Sequence, residues 1–239
     1  MKRFESKSTE SEWLSISDLM SVLMIVFLII SVFYMLQVKE DKVKIEQIAV
    51  EYDEKQKALY TELYNEFKDD LENWNATIDS EKLSIRFLVP DDVQGGSPKI
   101  FFREGSSLIS NYGKGVLNDF FPRFKEIIYS KNYRDEIEEI RIEGHTSSDW
   151  YGLSQNRAYY RNMKLSQDRT RNVLEYTLES VENQDQKKWF REYLTSNGLS
   201  SSKIILDSLG NENFYASRRV EFRVKTKAEE SILEIVRSQ

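Results

Sequence analysis

Residues 13–38 read WLSISDLMSVLMIVFLIISVFYMLQV, and this stretch decides how the chain is organised. It contains no charged residue from Leu19 to Val38. As a helix, Trp13–Leu36 would rise about 36 Å, which exceeds the hydrocarbon core of a bilayer, about 30 Å thick. The sequence therefore predicts one transmembrane helix over 13–38, preceded by a short tail, 1–12.

A cleaved signal peptide is the alternative for this stretch. Met1-Lys2-Arg3 supplies the charged start that such a peptide needs. However, the apolar run is too long, Asp18 interrupts its start, and residues 38–41 offer no small-residue cleavage site. We expect an uncleaved anchor. The flanking positive charges barely discriminate orientation, but the short tail before the span and the long folded part after it favour a cytoplasmic N-terminus.

Asp18 stands at the head of the charge-free run. A carboxylate costs roughly 2.5–3.5 kcal/mol at the centre of a membrane helix and less near its ends, and intramembrane carboxylates usually carry an ion or proton. The alternative is a helix N-cap, in which Ser17 or Asp18 accepts backbone N–H bonds. Because the apolar stretch already begins at Trp13, we favour a position one turn inside the helix, with Ser15 and Ser21 near the carboxylate. A charge facing lipid needs cover, so a partner must supply further membrane helices.

Composition excludes several classes of function. The chain has 239 residues, no Cys and a formal charge of −6, and His145 is its single histidine. Disulfides and thiolate metal sites are therefore excluded, and no basic face for nucleic acid is indicated. We predict no metal site, no catalytic site and no cofactor, and expect His145 to make structural hydrogen bonds at the end of a strand.

Residues 39–82 are rich in Lys, Glu and Asp and contain no Gly or Pro. They predict a helical stalk, which is either a coiled-coil dimer or a solvated charged helix. The partly heptad spacing is carried by Val38, Ile45, Ile48, Tyr52 and Leu59.

From residue 83 the pattern changes to strands alternating with helices, which predicts an α+β chain ending in an α/β sandwich over 83–226. The predicted strands are 83–88, 100–102, 137–142, 203–209 and 218–224. The predicted helices are 113–129, 156–178 and 185–195, the last closed by Asn197-Gly198 as a C-cap, and a short terminal helix lies in 227–239.

Four motifs of the C-terminal domain follow one another: FREGSSL (102–108), IRIEGHT (140–146), NMKLSQDR (162–169) and SRRVEF (217–222). In this order and spacing they resemble the OmpA-like peptidoglycan-binding domain. The resemblance implies that Thr146, Asn162, Leu165 and Arg169 bind peptidoglycan, and that the planar fork of Arg169 grips a carboxylate of the stem peptide.

The alternative for Arg169 is a surface salt bridge to Asp168 or Glu175. We expect Arg218 and Arg219 to be structural, with Arg219 pairing across the sheet.

The chain departs from the family pattern directly after Gly-His-Thr. That family commonly has Asp there, where this chain has Ser147, and Asp149 follows two residues later. In the resemblance this Asp binds the amino group of a diaminopimelate-containing stem peptide. Asp149 is therefore the candidate for the same role.

The membrane segment independently resembles the flagellar stator B subunit of MotB type, whose single helix carries an Asp followed by a Met-rich apolar run. The short tail, the charged stalk and the enlarged region 181–202 make the chain most similar to the B subunit of the Zorya anti-phage defence system.

This resemblance implies a homodimer within a ring of five MotA-like or ZorA-like multi-span subunits, in the bacterial inner membrane, with the C-terminal domain on peptidoglycan in the periplasm. Alternating protonation of two Asp18 carboxylates would drive rotation; the sequence leaves H⁺ and Na⁺ open as the ion. A flagellar stator subunit, a passive peptidoglycan tether and a transporter-energising subunit of ExbD/TolR type are the alternatives, although the last class lacks the Asn-x-x-Leu-Ser-x-x-Arg pattern.

Overall fold

The structure, a computed structural model, describes residues 6–89 and 99–227. The chain divides into two units, Met1–Glu51 and Tyr52–Gln239. The elements in chain order are α1 (Ser6–Phe67), β1 (Ala76–Asp79), β2 (Ser84–Leu88), α2 (Asn111–Ile128), β3 (Ile137–His145), α3 (Gln155–Glu179), α4 (Gln184–Tyr193), β4 (Leu194–Ser200), α5 (Phe214–Ser217) and β5 (Arg219–Thr226). The predicted α+β fold class is confirmed.

The first unit is the N-terminal part of α1. Among the described residues, α1 is the one helix that is long and apolar enough to cross a membrane. The large apolar side chains of Leu19–Val38 are exposed on every side of it. A helix that is apolar all round needs apolar surroundings beyond its own chain, as a membrane span has.

The second unit is built on a five-stranded sheet with the order β1-β2-β5-β3-β4. All neighbouring strands are antiparallel except β3 and β4, which are parallel. Parallel neighbours need a crossover connection, and here α3 and α4 provide it. The end of β3 therefore leads directly into the loop before α3, and this loop carries predicted site residues.

One face of the sheet is apolar and packs against the helices. Phe120 of α2 lies at its centre, with ring centroids 5.1 Å from Phe87 of β2 and 5.0 Å from Phe222 of β5. The ring of Phe67, at the end of α1, lies 5.2 Å from that of Phe120. The last turns of α1 thus belong to the same core as the sheet.

The compact unit begins at Tyr52, whereas the sequence placed the start of the folded domain at residue 83. Leu59, Leu63 and Phe67 are buried in its core, and β1 pairs with β2, so part of the predicted stalk 39–82 is folded into the domain. Arg123 of α2 adds polar contacts, because its guanidinium lies 2.6 Å from Glu66 Oε1 and 2.8 Å from Asp70 Oδ2. The buried stripe Leu59, Leu63 and Phe67 shares Leu59 with the predicted stalk seam and packs against the domain core.

Two glycines allow α3 to lie directly on the sheet. Gly144 of β3 and Gly198 of β4 are partners in the strand register. A Cβ atom on Gly198 would come within 2.3 Å of the backbone nitrogen of Gln167, and one on Gly144 within 2.9 Å of the Ser166 carbonyl oxygen. The prediction of Asn197-Gly198 as a helix C-cap is therefore wrong, since this Gly serves a close approach of strand and helix.

The predicted strands 100–102 and 203–209 are also wrong. Each contributes a single bridge, Phe102 to Ile109 and Leu206 to Glu212. In the second segment Asp207 Oδ1 accepts hydrogen bonds from the backbone of Leu209 and of Asn211, which holds a local turn instead of a ladder. The terminal helix predicted over 227–239 lies outside the described residues except for Lys227.

Candidate functional site

Asp18 lies well inside α1, which begins at Ser6. The N-cap alternative is wrong, because a cap residue precedes the first turn of its helix. The side chain of Asp18 is exposed in the single chain. The Ser21 hydroxyl donates to the Ser17 carbonyl at 2.8 Å instead of to Asp18, and the side chain of Ser15 lies outside the described residues. In a membrane, a carboxylate in this apolar stretch would be costly without cover from another polypeptide.

The predicted wall-binding residues lie in the loop after β3 and in the first half of α3. Asn162 is buried, and its amide nitrogen donates to the carbonyl of Ser147 at 3.0 Å and to that of Asp149 at 3.2 Å. The structure therefore brings Asn162 and Asp149 together. The two hydrogen bonds from Asn162 hold the loop after β3 against α3.

Thr146 is buried, and Leu165 is half-buried. Thr146 is 4% exposed, and its backbone N–H donates to the Ser200 carbonyl at 3.0 Å. Its hydroxyl is buried without a hydrogen-bond partner among the described residues. Leu165 is half-buried on α3. Thr146 thus has little surface to offer a ligand.

The loop before α2 holds the side chain of Arg169. Its Nε donates to the Ser106 carbonyl at 2.9 Å, and a terminal nitrogen donates to the Arg103 carbonyl at 3.1 Å. The guanidinium carbon lies 4.9 Å from the ring centroid of Phe102. Burial, and then the positive charge of Arg218, lower the pKa of Arg169 to about 10. The group still carries its charge at neutral pH, in one fixed position.

The salt-bridge alternative for Arg169 is wrong. Its neighbour Arg171 makes those contacts, at 3.4 Å to Asp168 and 3.9 Å to Glu175. Within the described part of the chain, Arg169 has no carboxylate partner, which leaves its charge available to an anion.

Arg218 joins the site, although sequence reasoning gave it a structural role. Its Nε donates to the Ser147 hydroxyl at 3.0 Å, and a terminal nitrogen lies 3.8 Å from Asp149 Oδ1. The Ser147 hydroxyl donates to the same Asp149 oxygen at 2.7 Å. Asp149 is exposed, Arg218 lies beside it, and the charge of Arg218 acts on Arg169, so two guanidinium groups and one carboxylate belong to one charged region. Such a site suits a ligand that carries both a carboxylate and an amine. Arg218 belongs to the SRRVEF motif, and this motif could have marked it in the sequence as a site residue.

His145 lies on the polar face of the sheet, away from this site. Its Nε2 is 3.6 Å from Glu143 Oε2 and 3.7 Å from Glu221 Oε1, beyond hydrogen-bond distance. The expected structural hydrogen bonds are therefore absent, since neither ring nitrogen has a partner among the described residues. Burial lowers the pKa of His145, which favours the neutral ring.

Glu143, His145 and Glu221 bring possible ligand atoms within 4.8 Å of one another, as a metal site would. Sequence reasoning missed this cluster, because the three residues come from two strands. However, Glu221 Oε1 accepts a hydrogen bond from Arg219 at 2.5 Å and lies 3.3 Å from Arg86. These guanidinium groups already supply the positive charge that a metal ion would bring, so the donor set fits a buried ion-pair cluster better than a metal centre. The predicted pairing of Arg219 across the sheet is instead a contact along its own strand.

Comparison with known proteins gives one close relative along nearly the whole chain. No protein-family model matches the sequence. Zorya protein ZorB from Escherichia coli is 41% identical over 237 residues, which cover 98% of this chain and 97% of that protein.

Solved structures give weaker likenesses. A MotB-like protein from Desulfovibrio vulgaris is 25% identical and has a TM-score of 0.48, covering 73% of this chain and 93% of its own. The periplasmic domain of Helicobacter pylori MotB is 16% identical with a TM-score of 0.40, covering 65% and 79%. Because both TM-scores lie below 0.5, the assignment depends on the sequence relative. With two-fifths of its residues identical to ZorB from end to end, the chain belongs to the ZorB family.

Proposed function

We propose that this protein is a proton-driven motor subunit of an anti-phage defence system, anchored to peptidoglycan from the bacterial inner membrane. Membership of the ZorB family supports the defence role over a flagellar one. As the stator resemblance implies, two copies would act together within a ring of five multi-span A subunits. The long folded part after the span supports a cytoplasmic N-terminus and a periplasmic domain.

The observation that carries the proposal is the position of Asp18. It lies inside a continuous helix, directly before a run of apolar side chains that no other described residue covers. Once partner helices surround it, a carboxylate is costly to bury unless it binds a cation. Uptake of a proton on one side of the membrane and release on the other would therefore couple ion flow to movement of the A subunits.

The wall-binding half of the proposal is supported by the site around Asp149. Arg169 and Arg218 present two positive charges, and Asp149 presents a negative one beside them. A stem peptide with a diaminopimelate side chain carries both carboxylates and an amine, so its charges match this set. The hydrogen bonds from Asn162 to the loop hold Asp149 in place before a ligand arrives, and the carbonyls of Ser106 and Arg103 do the same for Arg169.

The membrane half is tested with Asp18→Asn in cells that also carry the A subunit. We expect complete loss of protection against phage, with normal membrane levels and normal sedimentation with peptidoglycan. Asp41→Asn is the matched control, because it makes the same change in the same helix beyond the charge-free run, and it should protect like the wild type. Full protection by Asp18→Asn would contradict the motor and leave a passive tether.

A further inference from the structure

A cleft on the surface of α3 lies outside the set of residues proposed to bind the wall. It has a volume of about 430 Å³ and is lined by Leu153, Arg157, Tyr160, Arg161 and Lys164. The spacing of the three cations, i, i+4 and i+7, places them on one face of the helix. None of these residues belongs to the proposed wall-binding site.

The cleft is positively charged within a chain whose formal charge is −6. Arg157 and Arg161 form no ion pair within residues 6–89 and 99–227, whereas Lys164 pairs with Asp168 at 2.9 Å. The aromatic ring of Tyr160 is 69% exposed in the same concavity. Two free guanidinium groups beside an exposed aromatic ring suit an anionic group attached to a sugar, since the ring offers an apolar face and the cations offer charge-assisted hydrogen bonds.

The cleft shares the loop between β3 and α3 with the site around Asp149. Leu153 belongs to the loop that carries Asp149, and Arg161 is adjacent in sequence to Asn162, which holds that loop. Along the helix, Arg157 and Arg169 are about 18 Å apart. One carboxylate group cannot contact both ends, but a repeating polymer can.

We propose that this cleft is a second subsite for the wall polymer, which takes a further carboxylate of the same strand. Arg157 and Arg161 bind the carboxylate, and the ring of Tyr160 packs on the apolar face of a neighbouring sugar. The inference rests on the proposed peptidoglycan binding, and it adds that the protein recognises a length of polymer rather than a single stem peptide.

The test uses the full chain in detergent micelles with two probes, insoluble peptidoglycan sacculi and a single soluble stem peptide that contains diaminopimelate. The variant is Arg157→Gln combined with Arg161→Gln. We expect its affinity for sacculi to fall on the order of tenfold, because two exposed charge contacts are lost, while its affinity for the single stem peptide stays unchanged. Lys187→Gln combined with Lys188→Gln removes the same charge from α4 and should bind both probes like the wild type.

Arg169→Ala separates the failure of this inference from the failure of the proposed function. If Arg169→Ala abolishes sacculus binding and the double variant binds normally, the second subsite is wrong and the wall anchor stands. If the wild type does not bind sacculi, both are wrong. Equal weakening for both probes would place the two arginines at the first subsite and overturn the proposal. So would a double variant that keeps sacculus binding and loses sedimentation with phosphatidylglycerol vesicles, which would identify a lipid surface.

Discussion

Leu19–Val38 and Leu59–Phe67 belong to one helix, yet their apolar side chains have opposite surroundings. In the first stretch the large apolar side chains are 45% to 71% exposed within the chain. In the second, Leu59, Leu63 and Phe67 are at most 1% exposed. The two stretches lie in different units, and they differ in what covers their side chains.

Spacing explains the difference. Leu59, Leu63 and Phe67 recur every four residues, which makes one stripe that a single domain can cover. In Leu19–Val38 nearly every position is apolar, so no single face of one domain can cover them all. The pattern of apolar residues, more than their number, thus indicates whether a helix finds its partner inside the chain or outside it.

Phe67→Ala should have the largest effect on the free energy of unfolding, because it removes a buried side chain of the covered stretch. The ring of Phe67 is fully buried, 5.2 Å from Phe120 and 5.7 Å from Trp74. Its removal leaves a cavity, which should lower the free energy of unfolding by about 3–5 kcal/mol. The measurement is urea unfolding of the full chain in detergent, followed by tryptophan fluorescence. Phe33→Ala, the same change in the exposed stretch, should leave domain unfolding unchanged; equal losses would contradict the division of roles along α1.

Gly198→Ala sharpens the comparison by testing how closely the domain packs. The new methyl group would meet the backbone of Gln167, so α3 must shift. We expect a loss of about 1–3 kcal/mol in the free energy of unfolding, together with weaker sedimentation with peptidoglycan, since α3 carries Asn162 and Arg169. Gly115→Ala is the control, because nothing lies within 4 Å of its added Cβ. That change should be neutral or stabilise helix α2 by up to about 1 kcal/mol. A Gly198→Ala protein as stable as the wild type would show that the sheet and helix tolerate a wider separation.

Much of the fold was predictable because its signals are local. The charge-free run, the alternation in β2, β3 and β5, and the spacing in α2 and α3 each lie within one element. Four motifs in order singled out Asn162 and Arg169, and the structure places both on α3, with Asn162 bonded to the loop of Asp149 and Arg169 near the charge of Arg218. Local spacing and motif order are the information that one sequence carries well.

The missed features depend on contacts between distant residues. Asn197-Gly198 has the composition of a turn, but it lies in β4. Gly198 is needed there because the backbone of α3 passes close to it. The spacing of Leu59, Leu63 and Phe67 does not say whether this helix face packs on another chain or in its own domain, and the contact with the distant residue Phe120 decides it. Arg218 reaches Asp149 across a long sequence separation, and no spacing rule links the two.

Tyr133→Phe tests a polar contact between the domain and the C-terminal part of α1, and it should have the smallest effect of the three changes. The Tyr133 hydroxyl donates to Glu62 Oε2 at 2.8 Å, and burial together with this bond raises the pKa of Tyr133 to about 12. Below about pH 10, the usual tyrosine value, the bond should contribute about 0.5–1.5 kcal/mol. Because the folded protein keeps the proton longer than the unfolded chain, this stabilisation is lost as pH rises from about 10 through about 12. The free energies of unfolding of wild type and variant should therefore differ at neutral pH and converge across this window.

Tyr151→Phe, at a fully exposed ring, should match the wild type throughout. A difference between wild type and Tyr133→Phe that stays constant with pH would show that the hydroxyl does not hold α1 to the domain through Glu62.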